Sequence, residues 1–175
     1  MKHVALAILV LGLAACKEDT ATIVPVEMTD EALGHYCQMF VADHPGPKAQ
    51  VHLKGHSAPL WFSQVSDAVA YMHDPERDAE ITGVFVSDMS RAESWALPGL
   101  ANWLASDRAS FVIESDRLGG MGVPESIPFG SADAAAAFVA DHGGRIVAWD
   151  AVPEAYVRPD MTPMSGHQGH AGADQ

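Results

Sequence analysis

Leu60-Trp61-Phe62-Ser63-Gln64-Val65-Ser66-Asp67-Ala68-Val69-Ala70-Tyr71-Met72-His73 is the stretch on which the fold turns. It opens as a short apolar run, a strand or strand end. It then changes to a spacing that sets Val65, Ala68, Val69 and Met72 on one face of a helix. Ser63 or Ser66 is placed to cap that helix, which runs to about His73 before Asp74-Pro75-Glu76 stops it. Slid along the chain until Phe62 meets Phe129, the same stretch lays Ala68 on Ala135, Ala70 on Ala137 and Tyr71 on Phe138.

Working outward, each copy gains the same neighbours. Before the first lies Ala49 to Leu53, alternating apolar and polar as a half-buried strand does, and after it Ile81 to Val86, rich in β-branched residues. Ser110 to Glu114 precedes the second copy. Its helix spans Asp133 to about Asp141, with Ser131 as cap and Gly143-Gly144 as stop, and Arg145 to Trp149 closes it. The expected fold is α+β: two related strand–strand–helix–strand units packed together, the first over 27–90. The second unit and its linker, which carries Trp95 and Trp103, take 91–158.

The ends read differently. Lys2 and His3 precede an apolar run from Val4 to Leu13, and Leu13-Ala14-Ala15-Cys16 follows. That is the layout of a secretory leader over 1–15, with Cys16 positioned for lipidation and 16–26 as a tether. The run is too short to cross a bilayer, which takes about 20 apolar residues. Past Pro159 the chain carries Met161, Met164, His167 and His170 among Gly, Pro and Ser, and 159–175 is expected to be a disordered Met/His tail. Such a tail suits a weak copper collector or a merely solubilising end.

The formal net charge of −13 becomes more negative by one when Lys2 leaves with the leader. Phosphate backbones and anionic headgroups are repelled by such a surface, so nucleic acid is excluded as a partner. With Cys16 acylated, Cys37 has no partner for a disulfide in an oxidising compartment. It is then either a buried structural cysteine or a ligating thiol.

Cys37 and Met39 form Cys-x-Met. A thiolate and a thioether two residues apart can reach one ion, and both are soft donors suited to Cu(I) rather than Mg²⁺ or Ca²⁺. Core packing also explains a methionine there. Met121, in Leu118-Gly119-Gly120-Met121-Gly122, is a third candidate, since its glycines permit close backbone approach and unusual dihedrals. A tight turn covering an apolar patch is the other reading. His35, as a ligand or as support for one, is a weaker candidate, and so is Met89, which reads rather as packing at a strand end. His44, His52 and His56 read as solvated. No nucleophile elbow, phosphate loop or His-Glu-x-x-His is present, so no enzyme class is indicated. An exported thiol enzyme or a mercurial-handling protein is the alternative reading.

In this order, the lipobox cysteine, the Cys-x-Met, the Gly-Gly-Met-Gly and the Pro-Phe-small-helix segment resemble the NosL family. These are accessory lipoproteins of nitrous oxide reductase. The likeness runs from about Cys37 to Val152. It implies two like α+β units and one Cu(I) held by Cys37, Met39 and Met121. It implies delivery to the reductase's copper centres through a partner transporter complex, with Cu(I) as cargo. It implies a non-enzymatic chaperone in the periplasm, anchored by lipid. Lys17 after the cysteine favours the outer membrane. Gln38 stands where the family pattern leads one to expect glycine, a change that should leave the ligands intact.

Overall fold

The computed structural model describes residues 22–77 and 79–158. Cys16 and the Met/His tail therefore lie outside the described residues. The α+β expectation is met by two antiparallel sheets of the same topology. In the first unit, β1 (Ala49–Leu53) is flanked by β2 (Leu60–Phe62) and β3 (Ile81–Ser87), with α1 (Val65–Met72) between the last two in sequence. β4 (Trp103–Ala105) extends this sheet at the β3 edge, giving the order β2-β1-β3-β4. In the second unit, β5 (Ser110–Ile113) is flanked by β6 (Ile127–Phe129) and β7 (Arg145–Val147), with α2 (Ala132–His142) between them. A short α3 (Glu154–Val157) follows.

The registers carry the duplication down to single pairs. Phe62, the last residue of β2, faces Ala49 at the start of β1, and Phe129, the last residue of β6, faces Ser110 at the start of β5. The repeat seen in the sequence is thus a repeat of strand pairing.

Period-two alternation decides how the units join. Ala49, Val51 and Leu53 of β1, with Val84 and Val86 of β3, enter one apolar cluster that also takes Phe111 and Ile113 from β5. Val112, between those two, points the other way into a second cluster with Ile127, Phe129 and Ala135 of the α2 side. One core therefore spans both units. On β1 the intervening Gln50, fully buried, accepts the Val26 N–H (2.8 Å) and donates to the Val26 carbonyl (2.9 Å), which fastens the chain to the body from Val26 onward.

The helix caps divide into one expected and one not. Ser131 caps α2, its hydroxyl accepting the Ala134 N–H at 3.3 Å, and Gly143 ends the helix at φ +70°. Neither Ser63 nor Ser66 caps α1. Its N-cap is Gln64, which makes no capping bond, and the free N–H groups of Val65 and Ser66 go instead to the carboxylate of Glu125 from the second unit. A serine a few residues away lost to a buried carboxyl group, whose oxygens satisfy two donors at the start of the helix. β7 is shorter than expected because Trp149–Ala151 turns into a 3₁₀ helix.

Candidate metal centre

The thiol sits in a tight reversal. The Gly34 N–H donates to the Met39 carbonyl (2.9 Å) and the Gln38 N–H to the Gly34 carbonyl (2.9 Å), folding 34–39 back on itself. The His35 N–H donates to the Trp61 carbonyl (2.7 Å), which hangs the reversal on β2. A side chain at Gly34 would run into the Cys37 sulfur, so glycine is required there. Gln38 adopts φ +55° in the reversal, a conformation glycine enters freely, and its side-chain amide braces it by donating to the carbonyls of Gly34 (3.2 Å) and His35 (2.7 Å). A glutamine thus occupies a left-handed position of the turn with its amide bonded back to the chain.

Cys37 is free and half-buried, its sulfur 3.2 Å from the Ser63 hydroxyl at the end of β2. Ser63 is held in turn by Lys48. The Lys48 ammonium is buried and donates to the carbonyls of His44 (2.6 Å), Pro45 (3.2 Å), Gly46 (2.9 Å) and Ser63 (3.3 Å). Desolvation lowers its pKa to about 8, against the pull of negative charge at Glu125 and Cys37.

Met121 arrives from the second unit on a loop made for close approach. Any Cβ at Gly120 would stand 2.7 Å from the Pro45 carbonyl oxygen and 2.8 Å from His44 Cβ; one at Gly119 would stand 2.6 Å from Glu125 Oε2 and 2.8 Å from Gln64 Oε1. Gly122 takes φ +76°. The Met121 N–H donates to Gln64 Oε1 at 3.1 Å.

The result is an open cleft of about 460 Å³ shared by Cys37 and Met121, with Tyr36, Gln64, Asp67 and Tyr156 among its walls. Burial raises the Asp67 carboxyl above its usual range, partly offset by the hydrogen bond from Gln64. Among the described residues no group of three or more His, Cys, Asp and Glu side chains is placed to hold a metal ion. The cleft offers a thiol and a thioether, soft donors suited to soft rather than hard metal ions.

The other candidates are placed as follows. Met39, 44% exposed, does not line this cleft but a separate groove with His44, while its carbonyl is 4.0 Å from the Cys37 sulfur. His35 packs its ring against Tyr36, Phe62 and Tyr71. Met89 is elsewhere: it packs into the α2-side cluster with Ile127 and Phe129.

Two histidines expected in solvent are half-buried. His52 bonds Gln50 and meets Phe85 edge-on. His44 Nδ1 lies 3.3 Å from the Gly120 carbonyl, and its buried Nε2 has no hydrogen-bond partner among the described residues. His56 is exposed as expected. Sequence reasoning passed over Gln64, Lys48 and Glu125 and read Ser63 only as a helix cap, because an isolated polar residue carries no local sign of what it will meet across the fold.

A duplicated α+β body brings a thiol and a thioether from different units to one open cleft, a pair of soft donors of the kind copper-binding proteins use. The chain belongs to the NosL family, whose model matches residues 25–157. It is 53% identical over 154 residues to the copper-binding lipoprotein NosL of Achromobacter cycloclastes, covering 87% of this chain and 78% of that one. It is 26% identical over 179 residues to the copper-binding lipoprotein NosL of Stutzerimonas stutzeri, covering 94% and 92%. The crystal structure of the copper chaperone NosL from Shewanella denitrificans superposes with a TM-score of 0.69 at 27% identity, over 77% of this chain and 98% of that one.

Proposed function

We propose that this protein is a periplasmic, lipid-anchored carrier of Cu(I), delivering it for maturation of the copper centres of nitrous oxide reductase through that enzyme's copper-assembly transporter complex. One observation carries the reading: Cys37 and Met121, from different units, line the same open cleft. Relatives named for copper binding and copper chaperoning point the same way. Cys16 supplies the lipid anchor, with Lys17 favouring the outer membrane, and no helix among the described residues is long and apolar enough to cross a membrane.

Cys37 and Met121 hold the ion from two sides. Met39 enters as the third donor by rotating its exposed, unbranched side chain toward the thiol, from which its own carbonyl is already only 4.0 Å away. Three-coordinate Cu(I) with an open face suits release. A partner's donors enter from solvent as Met121, 40% exposed, leaves, so the ion is exchanged by ligand replacement. The protein holds and transfers the ion and does no chemistry on it.

The test is an anaerobic Cu(I) titration of the full chain in detergent against a competing chelator, with Cys37→Ala and Met121→Ala beside it. One tight equivalent, much weakened in both variants, is expected. Equal binding by all three proteins, or binding through the tail alone, would remove the site. Preference for Hg²⁺ with weak Cu(I) binding would instead favour a mercurial-handling role.

A further inference from the structure

We propose that Ser63-Gln64, the dipeptide joining β2 to α1, is the positioning element of the metal centre, with Gln64 fixing Met121 and Ser63 fixing Cys37. This rests on the reading of Cys37 and Met121 as the copper ligands.

Two consecutive residues touch both ligands. The Ser63 hydroxyl is 3.2 Å from the Cys37 sulfur, and Gln64 Oε1 accepts the Met121 N–H at 3.1 Å. Both residues are about 2% exposed. Fully buried Phe62 and Val65 flank them, so the dipeptide is held between two core side chains. Lys48 anchors it from below through the Ser63 carbonyl.

The Gln64 amide is used at both ends. Its Nε2 donates to Asp67 Oδ1 at 3.1 Å, which fixes the amide's orientation and turns the oxygen toward Met121. Met121 itself lies on a glycine loop tied by Gly119 N–H to the Val123 carbonyl (2.8 Å) and Gly122 N–H to the Gly119 carbonyl (2.9 Å). Those bonds close the loop on itself; Gly120 seats it against His44 and Pro45, and the bond to Gln64 is the one made to Met121 itself. Gly119 packs against the same oxygen, so that any side chain there would dislodge it. An amide buried in this way costs free energy unless both ends are bonded, and a leucine would fill the space without that cost. What the amide provides is direction. It holds the thioether-bearing loop against the unit that carries the thiol, so the donors are placed before metal arrives.

The assignment separates from a general structural role by a double-mutant cycle read in Cu(I) affinity. In the full chain in detergent, Gln64→Leu is expected to weaken Cu(I) binding roughly 10–100-fold, the usual range for groups that orient a ligand. The same substitution in a Met121→Ala background should change affinity less than about twofold, because its effect runs through Met121. Gln64→Glu keeps an acceptor for the Met121 N–H but loses the donor to Asp67 that turns that oxygen, so it should recover only part of the loss. Hydrogen exchange on the unsubstituted protein provides a check independent of how the variants fold: the Met121 amide should be protected.

Equal weakening in both backgrounds, no weakening in either, or an unprotected Met121 amide would each overturn the assignment, while tight wild-type binding lost in Met121→Ala would leave the copper site standing. Tight binding retained by Met121→Ala would remove the site itself, and this inference with it.

Discussion

The Ser66 N–H donates to the Glu125 carboxylate over 2.8 Å, so the helix of one unit is capped by a fully buried acid of the other. Val65 N–H (3.3 Å) and the N–H of Ser126 (2.8 Å) complete the shell, and the Ser66 and Ser126 hydroxyls meet at 3.1 Å beside it. Tyr156 closes the cleft side by donating its hydroxyl to the Glu125 carbonyl at 3.0 Å. The joint that holds the two units in register therefore lies directly behind the Met121 loop, whose Gly119 touches the same carboxylate.

That joint is pH-sensitive in a direction opposite to the usual carboxylate. Burial lifts Glu125 to about 7, above its ordinary 4.5, with the hydrogen bonds from Ser66 and Ser126 pulling back and Asp67 adding to the rise. A raised folded-state value means that the folded chain holds this proton to higher pH than the unfolded chain. The resulting stability is complete below about pH 4.5 and is lost as pH rises through 7. Lys48, lowered from 10.5 to about 8, imposes a burial cost that is complete below pH 8 and relieved as pH rises toward 10.5. Together they place a stability minimum between about pH 7 and 8. Thermal unfolding across pH should show Glu125→Gln flattening the acid limb and Lys48→Met the alkaline one. A Tm difference between wild type and Glu125→Gln that stays constant from pH 4 to 8 would show that Glu125 titrates normally.

Gly120 and Gly122 are expected to respond differently to alanine. At Gly120 the new Cβ meets backbone at 2.7 Å, which cannot swing aside, so the loop must lift away from His44 and Pro45. The expected cost is about 1–3 kcal/mol, together with weakened Cu(I) binding as Met121 moves. At Gly122 nothing lies within 4 Å, and only the positive φ is penalised, at about 1–2 kcal/mol. Denaturant melts with Cu(I) titration separate them; equal loss of Cu(I) affinity in both would show that close packing at Gly120 does not set the loop.

How far these features could be read from sequence depended on range. The bounds of β1 were legible, because alternation is local, although Gln50 is fully buried where a half-buried strand would expose it. The cap of α2 was legible because Ser131 lies three residues from the N–H it accepts. The cap of α1 was not, since its acceptor comes from the other unit. Cys37 and Met121 stood out by chemical type and by their glycine surroundings, but nothing in the chain between them states that they share a cleft. Met89 shows the converse. It is a methionine at a strand end, and only the packing of α2 and β6 reveals that it faces the second cluster. Gln64 looked like any polar residue before a helix.

Gln38 tests whether the reversal tolerates a side chain by strain or by compensation. Its left-handed backbone costs about 1–2 kcal/mol relative to glycine, while its amide returns two hydrogen bonds. Gln38→Gly should therefore leave stability within about 1 kcal/mol and Cu(I) affinity unchanged. Gln38→Val loses both bonds and puts a β-branched residue at φ +55°, and should destabilise by about 2 kcal/mol or more. Chemical denaturation of both variants decides it. A tolerated valine would mean that the 34–39 reversal adopts another backbone in solution.

The methionines offer the sharpest contrast between binding and packing. Met121 is exposed at the cleft, so Met121→Ala removes little buried surface and should shift stability by no more than about 0.5 kcal/mol while reducing Cu(I) affinity at least tenfold. Met89 is half-buried against Ile127 and Phe129, so Met89→Ala should cost about 1–2 kcal/mol and leave Cu(I) affinity where it was. Both are read from one pair of measurements, a denaturant melt without metal and an anaerobic Cu(I) competition. If Met89→Ala weakened Cu(I) as much as Met121→Ala without loss of stability, the thioether that holds the metal would have to be sought beside α2, away from Cys37.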